Sequence, residues 1–463
     1  MNMNRRQFLK SSTALATAGG LGSLTALSSA LTSFSSLAAA DDDYKALVCV
    51  FLHGGMDNHD TVLPYDQASY NSYAQIRRSL IAQYQGQRDR KVLLPLSPDN
   101  AANFGGRAFA LPPQMPGISN LFHRGNAAIV ANVGPLITPA SQSEFELESV
   151  SLPSRLFSHN DQQATWLSSS PEGAVYGWGG AFADSAINAG YNSRNEFSVI
   201  TSGGNDLFLT GENAVPYQIN AGEAQEINAL GDVDDHQALA DLLTSHFAAT
   251  NFNSSNLIQQ DIAAALAKAS ASNNSYNLAL AGINPLTTAF PQGHLARQLQ
   301  GVARTIAARQ TLGVKRQVFI VGMGGFDTHS EQAKNLPKLH AALDSAISAF
   351  YAGMQELGLG SKVTLFTASD FGRTLAANSD GTDHGWGGHH FIIGDAVNGR
   401  NIYGDMPPVA FGHDQDAGSG RLIPTTSVDQ MAAPLGRWFG LSDEELSRAL
   451  PNLGNFSTRL NFI

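Results

Sequence analysis

Only one cysteine, Cys49, occurs in the 463 residues of this chain, so no internal disulfide can form. Stability has to come from a packed core or a bound metal. Basic residues are scarce, with 28 Lys and Arg against 39 Asp and Glu. Residues 1–40 hold Arg5, Arg6 and Lys10 and no acid, so without them 25 bases face 39 acids, a charge of −14. General nucleic-acid binding needs a basic surface and is excluded. An anionic substrate remains open if metal ions supply positive charge locally. Beyond residue 40, no run is long and apolar enough to cross a membrane. The motif Gly-x-Ser-x-Gly is also missing. His53-Gly54-Gly55, which could otherwise form an esterase oxyanion hole, therefore has no nucleophile turn to serve.

What is present begins with an export signal. Asn4-Arg5-Arg6-Gln7-Phe8-Leu9-Lys10 has the twin-arginine pattern, and a weakly apolar stretch runs on to Leu37. Ala38-Ala39-Ala40 offers small residues for cleavage before Asp41-Asp42-Asp43. Residues 1–40 are read as a signal peptide carried by the twin-arginine translocase, which moves folded proteins. The mature chain, 41–463, is expected to be periplasmic or secreted.

Apolar runs with turn signals after them recur at 46–52, 127–133, 317–323 and 362–369, with a shorter one at 391–395. Such runs suit strands buried on both faces, as in a parallel sheet. The clearest strand–helix–strand unit is 317–370. Its helix is expected to open at Pro337 and to turn Leu339, Leu343, Ile347, Phe350 and Met354 toward the sheet. Segments 66–115 and 190–235 are rich in Asn, Ser, Gly, Gln and Pro and read as long loops, whereas 236–312 is helical in pattern. Ser442-Asp443-Glu444-Glu445 is a capping-box pattern. The expected fold is one α/β domain with a mostly parallel central sheet, helices on both faces, and insertions around 66–115 and 190–300.

In open parallel sheets, sites form beyond the carboxyl ends of the strands. Here those ends carry Gly54-Gly55-Met56-Asp57, Gly324-Gly325-Phe326-Asp327-Thr328-His329 and Asp370-Phe371-Gly372-Arg373. Gly381-Thr382-Asp383-His384 and His389-His390 precede the last run. Carboxylates and imidazoles delivered to one edge are the donor set of a divalent cation, and glycines beside them allow close approach. Asp57 alone would be read as a turn former. Cys49 and His390 are read as packing residues, and Trp386 either walls the pocket or fills the core.

These motifs, from LVCVFLHGGMDN through FDTH and ASDFGRT to GTDHGWGGHHFIIGDAVNGRNIYGD, resemble the exported domain of unknown function 1501 family along the whole mature chain. That family looks related to the alkaline phosphatase, sulfatase and cofactor-independent phosphoglycerate mutase superfamily. The resemblance implies an alkaline-phosphatase-like sheet and a one- or two-metal site (Zn, Mn or Ca) acting on phosphate or sulfate esters. It implies Asp57, Asp327, His329, Asp370 and His384 or His389 as metal ligands. This chain departs from the superfamily twice: only Thr328 separates Asp327 from His329, and Phe371 stands where a histidine ligand would follow Asp370. The superfamily's nucleophile lies at a helix start, which points to Ser158 with His159 as base or ligand. The alternative for Ser158 is a plain helix cap. Arg373, with its planar fork, is the candidate oxyanion clamp, or else a structural ion pair. A small or polymeric ester is the expected substrate. The competing reading is a non-catalytic exported protein that binds metal or a cell-envelope polymer on the same fold.

Overall fold

Uninterrupted apolar sequence makes the central strands. From Ala46 to Leu52 every residue of the first strand is fully buried, so the strand must be covered on both faces. The computed structural model describes residues 43–202, 204, 207–220, 223–224 and 257–463. The export segment, and residues 236–256 of the helical reading over 236–312, lie outside these residues. The elements that matter below are β1 (Lys45–Leu52), α1 (Asn58–Thr61), α2 (Gln67–Ile76), α3 (Arg78–Gln83), α4 (Pro116–His123), β2 (Ala127–Gly134), α5 (His159–Ser168), α6 (Trp178–Asn188), β3 (Val199–Thr201) and β4 (Tyr217–Asn220). They continue with α7 (Leu257–Ala281), α8 (His294–Ala307), β5 (Arg316–Met323), α9 (Gln332–Glu356), β6 (Val363–Ser369), β7 (Arg373–Ala377), β8 (Thr382–His384), β9 (Gly388–Ile393), β10 (Ile402–Tyr403) and α10 (Val428–Phe439).

The main sheet runs β10–β2–β9–β6–β1–β5–β3–β4, with Glu223–Ala224 at the far edge and Thr426–Ser427 also paired to β2. It is mostly parallel; β9 is antiparallel to both its neighbours, and the edge strand Glu223–Ala224 is antiparallel to β4. Leu47, Cys49 and Phe51 point to one face, where Trp166 of α5, Phe182 of α6 and Met431 and Phe439 of α10 pack on them. Cys49 is a packing residue there. Val48 and Val50 alternate to the other face and are equally buried; α8 lies against β5, and α4 against β2. Of the α9 positions expected to face inward, Leu343, Ile347, Phe350 and Met354 are buried, and Leu339 is half-buried.

In the ladder, Leu52 stands opposite both Met323 and Ser369. Three strands therefore end level, and the turns after them meet at one edge. Gly54 has φ +114, and a Cβ there would lie 2.3 Å from the Asp327 backbone nitrogen. Glycine is what allows the first turn to close on the second.

Several expectations need correction. The helix after β5 opens at Gln332, five residues before Pro337, because the Asp380 carbonyl accepts from the Gln332 backbone N–H at 2.9 Å. The last strand starts at Gly388 instead of 391, so His389 and His390 are strand residues with buried side chains. Segment 190–235 supplies β3 and β4 to the main sheet. Segment 66–115 is not a long loop: it contains α2, α3 and two strands of a small three-stranded sheet. The capping box at Ser442 forms as read.

The 66–115 segment has a definite task. Its Arg77 and Arg88 are wholly buried and grip the turn after β1. Arg77 donates to both Asp57 carboxylate oxygens, at 2.6 and 3.0 Å, and to the Thr374 and Leu375 carbonyls of β7. Arg88 pairs with Asp60 at 2.6 Å, and the hydroxyls of Tyr73 and Tyr84 donate to the same carboxylate. Removing one partner of a buried pair leaves an uncompensated charge, which costs about 3–5 kcal/mol. Arg77→Met is therefore expected to lower unfolding stability by about that much, read from urea denaturation; a change near zero would show that the pair does not hold the turn.

Candidate functional site

The edge of the sheet gathers side chains from four places. His159 is the first residue of α5, Asp327 and His329 sit in the turn after β5, Asp370 follows β6, and Asp383 and His384 lie in β8. Backbone contacts fix the turns on one another. Phe326 N–H donates to the His53 carbonyl at 3.2 Å, and Thr382 N–H to the Thr328 carbonyl at 3.0 Å. A Cβ on Gly381 would lie 2.3 Å from the His329 carbonyl carbon, so that position also needs glycine. β7 and β8 pair Arg373 with His384, which brings the histidine back toward Asp327.

Three imidazoles converge on the Asp327 carboxylate. The Nε2 atoms of His329 and His384 are each 3.2 Å from Oδ1, and His159 Nε2 is 3.5 Å from Oδ2. His329 Nε2 and His384 Nε2 are 2.9 Å apart. Each Nδ1, in contrast, has an acceptor of its own: Asp370 Oδ2 at 2.5 Å for His159, Asp383 Oδ1 at 3.2 Å for His329, and the Phe157 carbonyl at 2.8 Å for His384. A carbonyl can only accept, so His384 carries a proton on Nδ1, and in the neutral ring Nε2 is a bare lone pair. That lone pair faces a carboxylate oxygen, which can also only accept. A proton or a cation must lie between them.

The protonation tendencies separate the histidines. His159 is pushed above the free value of 6.5, chiefly by its hydrogen bond to Asp370, against the effect of burial. His384 is pulled down, first by burial and then by neighbouring positive charge from His159 and Arg373. For Asp327, burial alone would raise the pKa, but the Arg373 hydrogen bond and charge, with His329 and His159, carry it below the usual carboxylate value. Both directions disfavour a proton shared between His384 and Asp327. His159, Asp327 and His384 offer ligand atoms all within 4.8 Å of one another. Ligand histidines usually give their second nitrogen to a carboxylate or carbonyl, as His159 and His384 do here. One oxygen of the fully buried Asp370, Oδ1, has no partner among the described residues; Oδ2 is shared by His159 and Gln163.

Other expected site residues stand apart. The Asp57 carboxylate is taken up by Arg77, by the Gln332 amide at 2.6 Å and by the His59 backbone N–H, an interior network without a histidine nitrogen. His389 Nδ1 accepts from the Asn132 N–H at 3.0 Å, which leaves the proton on Nε2 and no lone pair to ligate with. Burial also drives its pKa down to about 4. Arg373 is fully buried behind Asp327 and directs its fork at the Gly54 carbonyl, Thr382 and Asp327 itself, so it does not stand at the open face as an anion clamp. Ser158 occupies the N-cap position of α5, but its side chain makes no cap bond and donates instead to Asp161 Oδ2 at 2.9 Å. Trp386 fills a side core with Leu136 and Ile423.

Three participants were not read from the sequence. Asp383 precedes His384 directly and could have been found there. Gln163 is four residues after His159, hence on the same helix face. The Phe157 carbonyl has no signature in the side chains.

Residues 44–451 match the family described as a protein of unknown function (DUF1501). The chain belongs to that family. Residues 2–22 match the twin-arginine translocation signal, so this member is exported across the membrane, to the periplasm or beyond. No helix among the described residues is long and apolar enough to cross a membrane. No match was found among curated proteins. Among solved structures the chain is similar to the sulfatase PsFucS1 from Pseudoalteromonas sp., with 9% identity and a TM-score of 0.34 over 90% of this chain and 71% of that one. It is also similar to the alkaline phosphatase PafA, crystallised as a variant, with 12% identity and a TM-score of 0.26 over 72% and 63% of the two chains.

The raised pKa of His159 has a testable consequence in chelator-treated protein. A pKa raised on folding gives stability that is complete below the unfolded value of about 6.5 and fades as pH rises through the higher folded value. Ring-proton NMR should show His159 titrating above the free value, and Asp370→Asn should shift that midpoint downward. An unchanged midpoint would remove Asp370 as the cause.

Proposed function

We propose that this protein is an exported metal-dependent hydrolase of phosphate or sulfate esters, with one divalent cation held by His159, Asp327 and His384. The observation that supports this reading is the contact between the bare His384 Nε2 and Asp327 Oδ1 at 3.2 Å. Two acceptors do not stay together unless a positive centre joins them. Two imidazoles and a carboxylate with an open side suit zinc, and manganese is an alternative; calcium prefers an all-oxygen shell and fits less well. A bound cation would polarise the ester and offset charge on its oxygens.

The chain's own residues divide the remaining work. Asp370 orients His159 through Nδ1, and Gln163 steadies the same carboxylate oxygen. The Phe157 carbonyl fixes the His384 tautomer. Arg373 holds Asp327 in place from behind. His329 lies outside the three-residue set, is 45% exposed, and keeps Nδ1 on Asp383. It is placed to hold or release a proton at Nε2 beside the open face. The Ser158 hydroxyl is bound to Asp161. A water molecule is therefore the better nucleophile, with His329 to take its proton.

Metal analysis of the exported protein should find about one divalent ion per chain, given a single three-ligand set. Asp327→Ala and His384→Ala should lose it while keeping the fold by circular dichroism. Asp370→Asn, which loosens an outer partner, should weaken metal affinity about 10–100-fold. Turnover of nitrophenyl phosphate or nitrophenyl sulfate should fall with metal content. Metal retained at full occupancy in Asp327→Ala sinks the assignment; metal bound without turnover of any ester favours a binding protein.

A further inference from the structure

If the centre binds an anionic ester, something must favour the anion. Asp327, Asp370 and Asp383 bring three negative charges to the edge. One divalent cation and Arg373 bring three positive ones, so the centre as proposed is only neutral. Three arginines lie close by. Arg373 is buried and committed to Asp327. Arg155 is 72% exposed and pairs with Asp161 and Glu172. Arg421 makes no direct ion pair with a carboxylate among the described residues, and its charge acts on Asp383 only at longer range.

Arg421 is nevertheless held in a fixed place. Its Nε donates to the His384 carbonyl at 2.8 Å and its Nη1 to the Gly418 carbonyl at 3.1 Å. Its guanidinium lies over the Phe157 ring, 5.2 Å from the centroid. Phe157 is the residue whose carbonyl binds His384 Nδ1, and its own φ is +72, a left-handed conformation uncommon for a large side chain. The arginine and the ligand histidine are thus tied to one another twice, through the His384 backbone and through Phe157. Two backbone carbonyls use two of five N–H donors. The others, including both on Nη2, have no partner among the described residues, and Arg421 is only half-buried. An anchored guanidinium with donors to spare is suited to a tetrahedral oxyanion.

We propose that Arg421 recognises the anionic group of the substrate, and that this group is a phosphate or sulfate presented to the metal centre. This rests on the hydrolase reading, and the test separates the two. Chelator-treated protein, with and without one equivalent of zinc, is titrated calorimetrically with inorganic phosphate and, separately, with inorganic sulfate. The preferred ion identifies the ester class. Arg421→Gln should weaken binding of the preferred ion on the order of tenfold to a hundredfold, as expected for a lost charge-assisted bond. Arg421→Lys should recover part of that loss, as a point charge without the fork. Zinc content and melting temperature should stay unchanged in both, and on nitrophenyl ester KM should rise more than kcat falls. Zinc bound normally with equal ion affinity in wild type and Arg421→Gln overturns the proposal, as does zinc-loaded wild type that binds neither ion. Loss of zinc or fold in Arg421→Gln also overturns it, by showing that the arginine holds the His384 loop. If wild type binds no zinc, the hydrolase reading fails by itself. The arginine assignment then stands only if phosphate or sulfate still binds and Arg421→Gln weakens it.

Discussion

The arrangement at the sheet edge depends on one carboxylate, Asp327, facing three imidazole nitrogens whose other nitrogens are already committed. With Nδ1 of His384 on a carbonyl, the tautomer is not free to change, and the Nε2 lone pair cannot be withdrawn. Among the described residues the only donor near both atoms is His329, whose Nε2 lies 2.9 Å from His384 Nε2 and 3.2 Å from Asp327 Oδ1. Arg373 approaches from the buried side and shares Oδ1, but it does not come between the two. On the proposed reading, a divalent cation would join these groups, with their outer nitrogens already oriented for it.

That opposition has to be held by something stiff, and the polar interior beneath it provides the stiffness. Arg77 links Asp57, in the turn after β1, to the Thr374 and Leu375 carbonyls of β7. β7 in turn pairs with β8, which carries His384. Gln332 reaches from α9 to Asp57 and also accepts from Thr382. A buried ion pair gains little over an apolar pair of equal volume, because desolvation offsets the attraction. Its value here is directional: the fork of Arg77 fixes two chain segments that apolar packing alone would leave free to slide.

This also explains what could be read from the sequence. The five main strands were legible because a strand buried on both faces is apolar over most of its length. The turns at their ends were legible through glycine. Gly54-Gly55-Met56-Asp57 and Gly324-Gly325-Phe326-Asp327 are nearly the same words, however, and nothing in them tells an interior aspartate from an exposed one. The difference is made by Arg77, twenty residues further on, in a segment whose polar composition reads as loop. The polar residues there are buried partners and not a solvated surface. His389 and His384 were likewise indistinguishable by spacing; an N–H of Asn132 on the neighbouring strand decides between them. The helix start at Gln332 was set by tertiary bonds that outweigh the local preference of Pro337.

The acidity of the chain bears on what the site can accept. With a charge of −14 beyond the export segment, long-range steering repels a phosphate or sulfate ester, and attraction has to arise within the last few ångströms. The proposed cation, held by Asp327 with Asp370 and Asp383 behind the histidines, would be largely neutralised by its own ligands and their partners. Selectivity for an anion then falls to charges that are close by, fixed and not already paired. Arg373 meets the first two conditions and fails the third. Arg155 is paired at the surface. Arg421 meets all three, and it does so because its partners are backbone carbonyls, which orient a guanidinium without cancelling its charge.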